Sequence, residues 1–261
     1  WSISETWELT LGARYDHDTV LGDTLNPRIA LVWQTKENLT TKMLYGRAYR
    51  APYFQELYTE TSFSLPNSDL DPEHSETWEL AFSYAPSSRL RLGLALYYFD
   101  QHDVISLQPV PGQTKYQYQN LGEQTIRGFE LEAMWEPLHN LRISANYAYN
   151  DPDDSQFVAV GSPKNQAYVR GDWQFLPNWN WDLMGNWIGK RERSLGDSRA
   201  SLDAYLVADT TLRYFGIKDW EFALSVRNVF DEDAREYSSS RIENDFPLPG
   251  RSLYLEARYD L

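Results

Sequence analysis

The chain has 261 residues, with 38 acidic side chains against 24 basic ones and no cysteine. Its formal net charge of -14 excludes the Lys- and Arg-rich surface that nucleic-acid phosphates require. The lack of cysteine excludes a disulfide framework, a thiolate metal site and a Cys nucleophile.

The length suits one large all-β domain. No apolar run approaches the length of a transmembrane helix, and no signal-peptide pattern is expected within these residues. Aromatic content is 15%, with 10 Trp and 18 Tyr, more than an ordinary soluble core uses.

In chain order, the first predicted strand runs from about Glu5 to Asp16, with Trp7, Leu9, Leu11, Ala13 and Tyr15 on one face. Period-two alternation of this kind marks a strand with a single apolar face. A loop rich in Asp, Gly and Asn leads to the segment from Arg28 to Gln34, where Ile29, Leu31 and Trp33 align. The turn at 35–38 opens a strand through Tyr49, whose poor alternation leaves its faces unassigned. A long loop is expected from about Arg50 to Glu73. Trp78, Leu80, Phe82 and Tyr84 mark a fourth strand, the turn at 86–88 reverses it, and Leu90, Leu92, Leu94, Leu96 and Tyr98 mark a fifth.

A second long excursion is expected from about Asp100 to Gln119, with Tyr116 and Tyr118 extending the strand that follows. Phe129, Leu131, Ala133 and Trp135 carry strand six into the turn at 136–140, and Leu141, Ile143, Ala145, Tyr147 and Tyr149 return. After a loop at 151–163 come Ala167, Val169, Gly171, Trp173 and Phe175. A turn at 176–178 leads to Trp179, Trp181, Leu183, Gly185 and Trp187. Beyond 191–201, Leu206 to Tyr214 and Trp220 to Val226 alternate around a turn at 216–219. The last strand places Leu253, Leu255, Ala257, Tyr259 and Leu261 on one face, with Tyr254, Glu256, Arg258 and Asp260 on the other.

Twelve strands result, with short and long connections alternating. Outer-membrane barrels sort their connections this way, with short periplasmic turns and long external loops. Trp1, Trp7, Trp33, Trp135, Trp173, Trp179, Trp181 and Trp220 fall on the short-turn side, as an interfacial belt requires. Core Trp in a soluble sandwich would not gather at one end. The opposite faces carry charges of both signs, among them Glu8, Arg28, Glu79, Glu132, Arg170, Arg213 and Arg227. Such residues suit a wet lumen and not lipid. The fold class read from the chain is therefore all-β, an antiparallel transmembrane β-barrel with about twelve strands present, and the mean hydropathy of -0.59 is compatible with it.

Three stretches carry a resemblance. They are Asn228-Val229-Phe230-Asp231 with Pro247-Leu248-Pro249-Gly250-Arg251 and the terminal strand, the run from Tyr45 through Arg50-Ala51-Pro52 to Glu56-Leu57-Tyr58, and Asn120-Leu121-Gly122 with Gly128-Phe129-Glu130-Leu131-Glu132. Taken in their order along the chain, 45–58, 120–132 and 228–261, these stretches make it resemble the C-terminal part of TonB-dependent outer-membrane receptors. The resemblance implies residence in the bacterial outer membrane, contact with lipid and lipopolysaccharide, a small-molecule cargo such as a ferric siderophore or cobalamin, and no enzymatic activity. It also implies a 22-stranded barrel, of which residues 1–261 are expected to be the last twelve strands. The plug and its TonB-docking segment are absent from these residues, so TonB is expected as a partner only through that plug. A self-closed twelve-stranded pore, with the strand at 5–16 paired to the strand at 251–261, stays open as an alternative. A soluble β-sandwich binding protein is the remote one.

No catalytic constellation, cofactor site or metal site is expected. His17, His74, His102 and His139 sit singly, and Ser194, Ser198 and Ser201 lack a neighbouring base. Asp151, Asp153 and Asp154, like Asp231, Glu232 and Asp233, read first as solvated loop acid and second as a cation site. Two places suit a ligand. In the loop after Arg50, Arg50, Tyr53, Gln55 and Tyr58 offer aromatic surface with hydrogen-bonding tips. Packing of the Arg-Ala-Pro turn against the barrel wall is an equal reading. In the run Lys190-Arg191-Glu192-Arg193, Arg191 and Arg193 offer charge to an anionic ligand, against the commoner reading of a solvated loop base.

Overall fold

A computed structural model describes residues 1–19, 22–153, 161–194, 197–238 and 242–260. The strand β1 (Ser2–Ser4) folds back on β2 (Trp7–Asp18), which is followed by β3 (Gly22–Lys36) and β4 (Leu39–Arg50). A five-residue helix, α1 (Phe54–Tyr58), and the short β5 (Ser64–Leu65) lie in the next connection. Then come β6 (Glu73–Ser87), β7 (Leu90–Pro109), β8 (Tyr116–Leu138), β9 (Leu141–Pro152), β10 (Asn165–Leu176) and β11 (Trp179–Ile188). The remainder is β12 (Tyr205–Ile217), β13 (Trp220–Arg227), the small pair β14 (Arg235–Glu236) and β15 (Phe246–Pro247), and β16 (Ser252–Tyr259). The ladder path follows chain order, β1-β2-β3-β4-β6-β7-β8-β9-β10-β11-β12-β13-β16, with β5 attached in parallel to β8.

The long strands of this path correspond one for one to the twelve predicted. Two compact units share them: Trp1–Phe82, Ala95–Gly128 and Asp151–Val158 form one, and Ser83–Leu94, Phe129–Asn150 and Ala159–Leu261 form the other.

Register explains the faces. In the first unit Leu9 lies opposite Leu31 and Leu11 opposite Ile29, while Leu31 also faces Met43 and Ile29 faces Tyr45. That assigns the strand the sequence left open. Met43 and Tyr45 belong to the apolar face, and the alternation is poor because Thr41 and Arg47 share their parity while Leu44 and Ala48 do not. In the second unit one apolar row crosses six strands, from Leu141 through Trp173, Trp181, Leu212 and Leu224 to Leu255. The adjacent row on the other face reads Arg142, Asp172, Asp182, Thr211, Ser225 and Tyr254. Leu255 is 80% exposed and Leu224 39%. Such exposure of apolar side chains is the expected state of a lipid-facing surface. Trp7 and Trp33 stack at 4.8 Å, and Trp220 lies 5.0 Å from Tyr259, each pair beside a short turn or chain end.

The connections depart from the expectation in two places. The first is the loop expected between Asp16 and Arg28, where β2 runs on to Asp18 and β3 already starts at Gly22. Five reversals take two residues each, at 37–38, 88–89, 139–140, 177–178 and 218–219. On the opposite side, however, the excursion expected at 100–119 is mostly strand, because β7 and β8 extend until only 110–115 connect them. Outside a bilayer both faces of a hairpin meet water, so its residues carry no apolar alternation for a sequence reading to detect, although the ladder continues.

The closed alternative is not formed. Among the described residues β16 pairs with β13 and β2 with β1 and β3, and no ladder joins the strand at 5–16 to the strand at 251–260. Both path ends keep an unpaired edge, and Leu261 lies outside the described residues.

Candidate ligand site

In the first unit, Arg50 ends β4 and ties the following loop to the sheet. Its Nε and Nη2 donate to the two carboxylate oxygens of Glu73 at 2.8 and 2.7 Å, and Nη1 donates to Glu56 at 3.1 Å. Glu73 also accepts from the Ile105 backbone N–H at 2.7 Å and from Gln101 at 3.3 Å. The Glu56 carboxylate turns back to accept from the Tyr53 N–H at 2.7 Å, which closes the first turn of α1. Both acids are buried, so a bidentate arginine is what keeps their charge tolerable.

With Leu57 buried beneath it, α1 presents Tyr53, Phe54, Gln55 and Tyr58 outward. Tyr53 is 64% exposed, and the Arg50 guanidinium lies 4.9 Å from its ring centroid. Phe54 and Tyr58 are 5.2 Å apart. The rest of the loop is laced to β8: Asn67 donates to the Tyr118 carbonyl, Gln117 to that of Pro66, and Lys115 reaches Glu60 at 2.6 Å. Asn120 donates to the Asp71 and Asp103 carbonyls and accepts from the Asp71 N–H. A rigidly mounted aromatic patch with one amide suits adsorption of a small molecule. No nucleophile–base pair lies within it.

Arg191 and Arg193 belong to the second unit, and their surroundings match neither reading of the basic run. Arg191 is 1% exposed, bonded to Glu236 at 3.0 Å and the Arg235 carbonyl at 2.7 Å, with its guanidinium 5.0 Å from the Tyr205 ring centroid. Tyr205 shares the same Glu236, at 2.6 Å. Arg193 forks onto Asp245, which also accepts from the backbone and hydroxyl of Ser238. Arg199 grips Asp197 and reaches the Ser238 and Ile242 carbonyls. The loop at 189–204 is thus clasped to the loop at 228–251 by three arginines. The Arg193 hydrogen bonds hold the Asp245 carboxyl well below the usual carboxylate range, and those of Arg199 bring Asp197 down to about 2.

The Asn-Val-Phe-Asp stretch builds the base of that second loop. Asn228, 2% exposed and at φ 48, donates to the carbonyls of Glu232 and Pro249 and accepts from the Glu232 N–H. Asp231, at φ 57, accepts from the Arg251 N–H at 2.8 Å. Asn and Asp are the residues that tolerate this left-handed conformation. Asp231 is thereby engaged in the turn, and Asp233 pairs with Arg235. Asp154 lies outside the described residues. Among the described residues no cluster of three metal-ligating side chains occurs.

Sequence reasoning named Arg50 but missed Glu73 and Gln101, and it named Arg193 but missed Asp245. The partners lie 23 to 52 positions away in the chain, and no local spacing marks them. Glu56 and Asn120 were quotable as parts of motifs, yet their roles appear only with the fold.

Residues 1–229 match the family described as TonB dependent receptor-like, beta-barrel. The chain belongs to that family. As a TonB-dependent receptor barrel segment, it resides in the outer membrane, and its family consists of transport receptors and not of enzymes. It is 26% identical to the vitamin B12 transporter BtuB of Vibrio cholerae serotype O1, over 98% of this chain and 40% of that protein. It is 28% identical to the metal-pseudopaline receptor CntO of Pseudomonas aeruginosa, over 95% of this chain and 37% of that protein. Among solved structures, a mutant ferric enterobactin receptor (PfeA) from Pseudomonas aeruginosa superposes with a TM-score of 0.80 at 21% identity, covering 98% of this chain and 43% of that one. The ferric-catecholate import receptor Fiu from K12 E. coli gives 0.81 at 18% identity, with 99% and 43% covered. The chain thus spans about two fifths of the length of these relatives.

Proposed function

We propose that residues 1–261 form one barrel portion, the C-terminal part, of an outer-membrane receptor that imports a scarce nutrient such as a ferric siderophore or cobalamin. Gating and TonB contact would fall to a plug that lies outside these residues. The observation that carries the reading is the match, over nearly the whole chain, to a vitamin B12 transporter and to a metal-pseudopaline receptor. Relatives that differ in cargo share this segment, so it supplies the common barrel while its outer connections supply selectivity. Within it, Tyr53, Gln55 and Tyr58 would touch the cargo directly, with Arg50 fixing the loop that carries them, while Arg191 and Arg193 would fix the outer connections of the second unit.

The test is a binding panel of ferric catecholates, ferric hydroxamates, metal-opine complexes and cyanocobalamin against the receptor carrying this segment, with uptake of each labelled compound by cells. One compound is expected to bind and to enter in a TonB-dependent way. Replacing Tyr53 and Tyr58 together by Ala should weaken its binding about tenfold or more, as loss of two aromatic contacts does. Binding of no compound, or uptake indifferent to deletion of the receptor gene, would overturn the reading.

A further inference from the structure

α1 carries three exposed rings, Tyr53, Phe54 and Tyr58, beside the amide of Gln55. The charges around them are lopsided. Residues 50–73 hold five acids and one base, Arg50, and residues 100–125 hold three acids and one base, Lys115. Both bases are engaged: Arg50 forks onto Glu73 and reaches Glu56, and Lys115 meets Glu60 at 2.6 Å. His102 pairs with Asp100 at 2.7 Å. Burial, and after it the charge of Arg47, push His74 below its ordinary value, so this ring is uncharged at neutral pH. The start of α1 has no free acceptance for an anion either, because the Glu56 carboxylate already takes the Tyr53 N–H.

Three exposed acids of the same segments, Asp69, Asp71 and Asp103, have no lysine or arginine partner among the described residues. Asn120 draws two of them together by donating to the Asp71 and Asp103 carbonyls at 2.8 Å each. The Asn67 N–H ties their loop to α1 through the Glu56 carbonyl at 3.0 Å. Arg28 forms no ion pair among the described residues, but it lies level with Gly46, four residues down β4 from Arg50, or roughly 13 Å along a strand at 3.3 Å per residue. Arg127 stacks on Tyr98 in the lipid-facing row, away from the inner face that Arg28 and Arg50 share.

We propose that the cargo held on this patch carries zero or positive net charge, and that the patch turns polyanionic complexes away. The inference rests on the proposed contact between α1 and the cargo, and it adds the cargo's charge class. Tyrosine and phenylalanine rings accept uncharged or cationic surfaces. A ferric tris-hydroxamate, in which three monoanionic ligands balance Fe(III), meets the condition, and so does cyanocobalamin. A ferric tris-catecholate does not. Its three dianionic ligands leave a trianion, which would face the three aspartates with neither Arg50 nor Lys115 free to pair it.

The test is equilibrium binding to the whole receptor carrying this segment, in detergent, with two matched pairs. One is a ferric tris-hydroxamate with and without three added carboxylates, the other cyanocobalamin with and without the same three; the two pairs tell a metal chelate from a corrinoid. A ferric tris-catecholate completes the series. The uncharged member of the pair that binds should be held about tenfold more tightly at low salt, a ratio that shrinks as salt screens the carboxylates. Asp69→Asn, Asp71→Asn and Asp103→Asn together should raise the affinity of the carboxylated member about threefold relative to the uncharged one. Lys115→Gln, which frees Glu60, should lower it further. Preference for a carboxylated member or for the tris-catecholate would overturn the inference, as would a ratio that the triple variant leaves unmoved. Tyr53→Ala with Tyr58→Ala separates the two ways to fail. If it weakens a tightly bound anionic complex, the patch holds cargo and the charge class alone is wrong. If it weakens no complex, the patch reading falls and this inference falls with it.

Discussion

At the scale of single residues, charge placement decides most of what the outer loops do. Arg50 neutralises two buried acids, so Arg50→Ala should destabilise the protein by about 3 kcal/mol, the usual cost of leaving a buried charge unpaired. Lysine should recover only part, since it cannot fork onto Glu73. Denaturant midpoints of the three proteins would show this, and equal midpoints would refute it. The arginine clasp has a pH signature. Asp245 and Asp197 are both depressed from an ordinary value of 3.8, so their contribution is complete above that value and is lost as pH falls through the lowered values. Protection of the Ser238 amide, which donates to Asp245, against hydrogen exchange should stay high at pH 5 after correction for the intrinsic rate and should fall only below about pH 4, where the clasp's contribution to stability begins to decline. Protection already lost at pH 5 would contradict the clasp. These partners were not legible in the sequence, because a lone Arg193 is the same letter whether it meets water or an Asp 52 positions away.

At the scale of elements, close approach is the recurrent constraint. Gly122 in β8 runs so near β7 that an added Cβ would lie 2.6 Å from the Val104 Cβ and 3.1 Å from its carbonyl oxygen. Gly122→Ala should therefore cost about 1–3 kcal/mol through overpacking. Val104→Gly in the same chain should return much of that, because it removes the atom met first. Thermal loss of gel-shift behaviour would measure both. Asn228 sets the other element. Its side chain satisfies three backbone groups, so both Asn228→Ala and Asn228→Gly should speed proteolysis in the loop at 228–251, glycine less because it accepts the positive φ.

The elements were also the most legible part of the chain. Twelve strands could be counted because bilayer contact forces apolar alternation, as from Trp220 to Val226 and from Leu253 to Tyr259. The upper parts of β7 and β8 were read as loop because water on both faces removes that demand.

At the scale of the whole molecule, the ladder ends decide stability. Among the described residues, β16 and the part of β2 beyond its short pairing with β1 each keep one edge without a ladder partner, and a backbone group left unbonded in hydrocarbon costs several kcal/mol. Produced alone, residues 1–261 should associate edge to edge or aggregate. Cysteines at Gly12 and at Tyr254, Glu256 or Arg258 in turn should give no disulfide within one chain. Ready intrachain bridging in one register would mean that the barrel closes on twelve strands after all. The faces can be checked too. Spin labels at Leu131, Leu224 and Leu255 should meet oxygen in bilayers, whereas labels at Glu79, Arg170 and Arg227 should meet water.

The β7–β8 hairpin has a bearing on how a living cell is seen from outside. Above its midpoint, near Arg127, β8 extends for about eleven residues, roughly 35 Å of strand, towards the tip at 110–115 with Gly112 at φ 77. On the side opposite the short turns, a ribbon of that length should stand clear of the membrane surface, within reach of antibody. Its tip would then be an accessible epitope. A short peptide tag inserted after Gly112 should be bound by antibody on intact cells while the barrel beneath keeps its register.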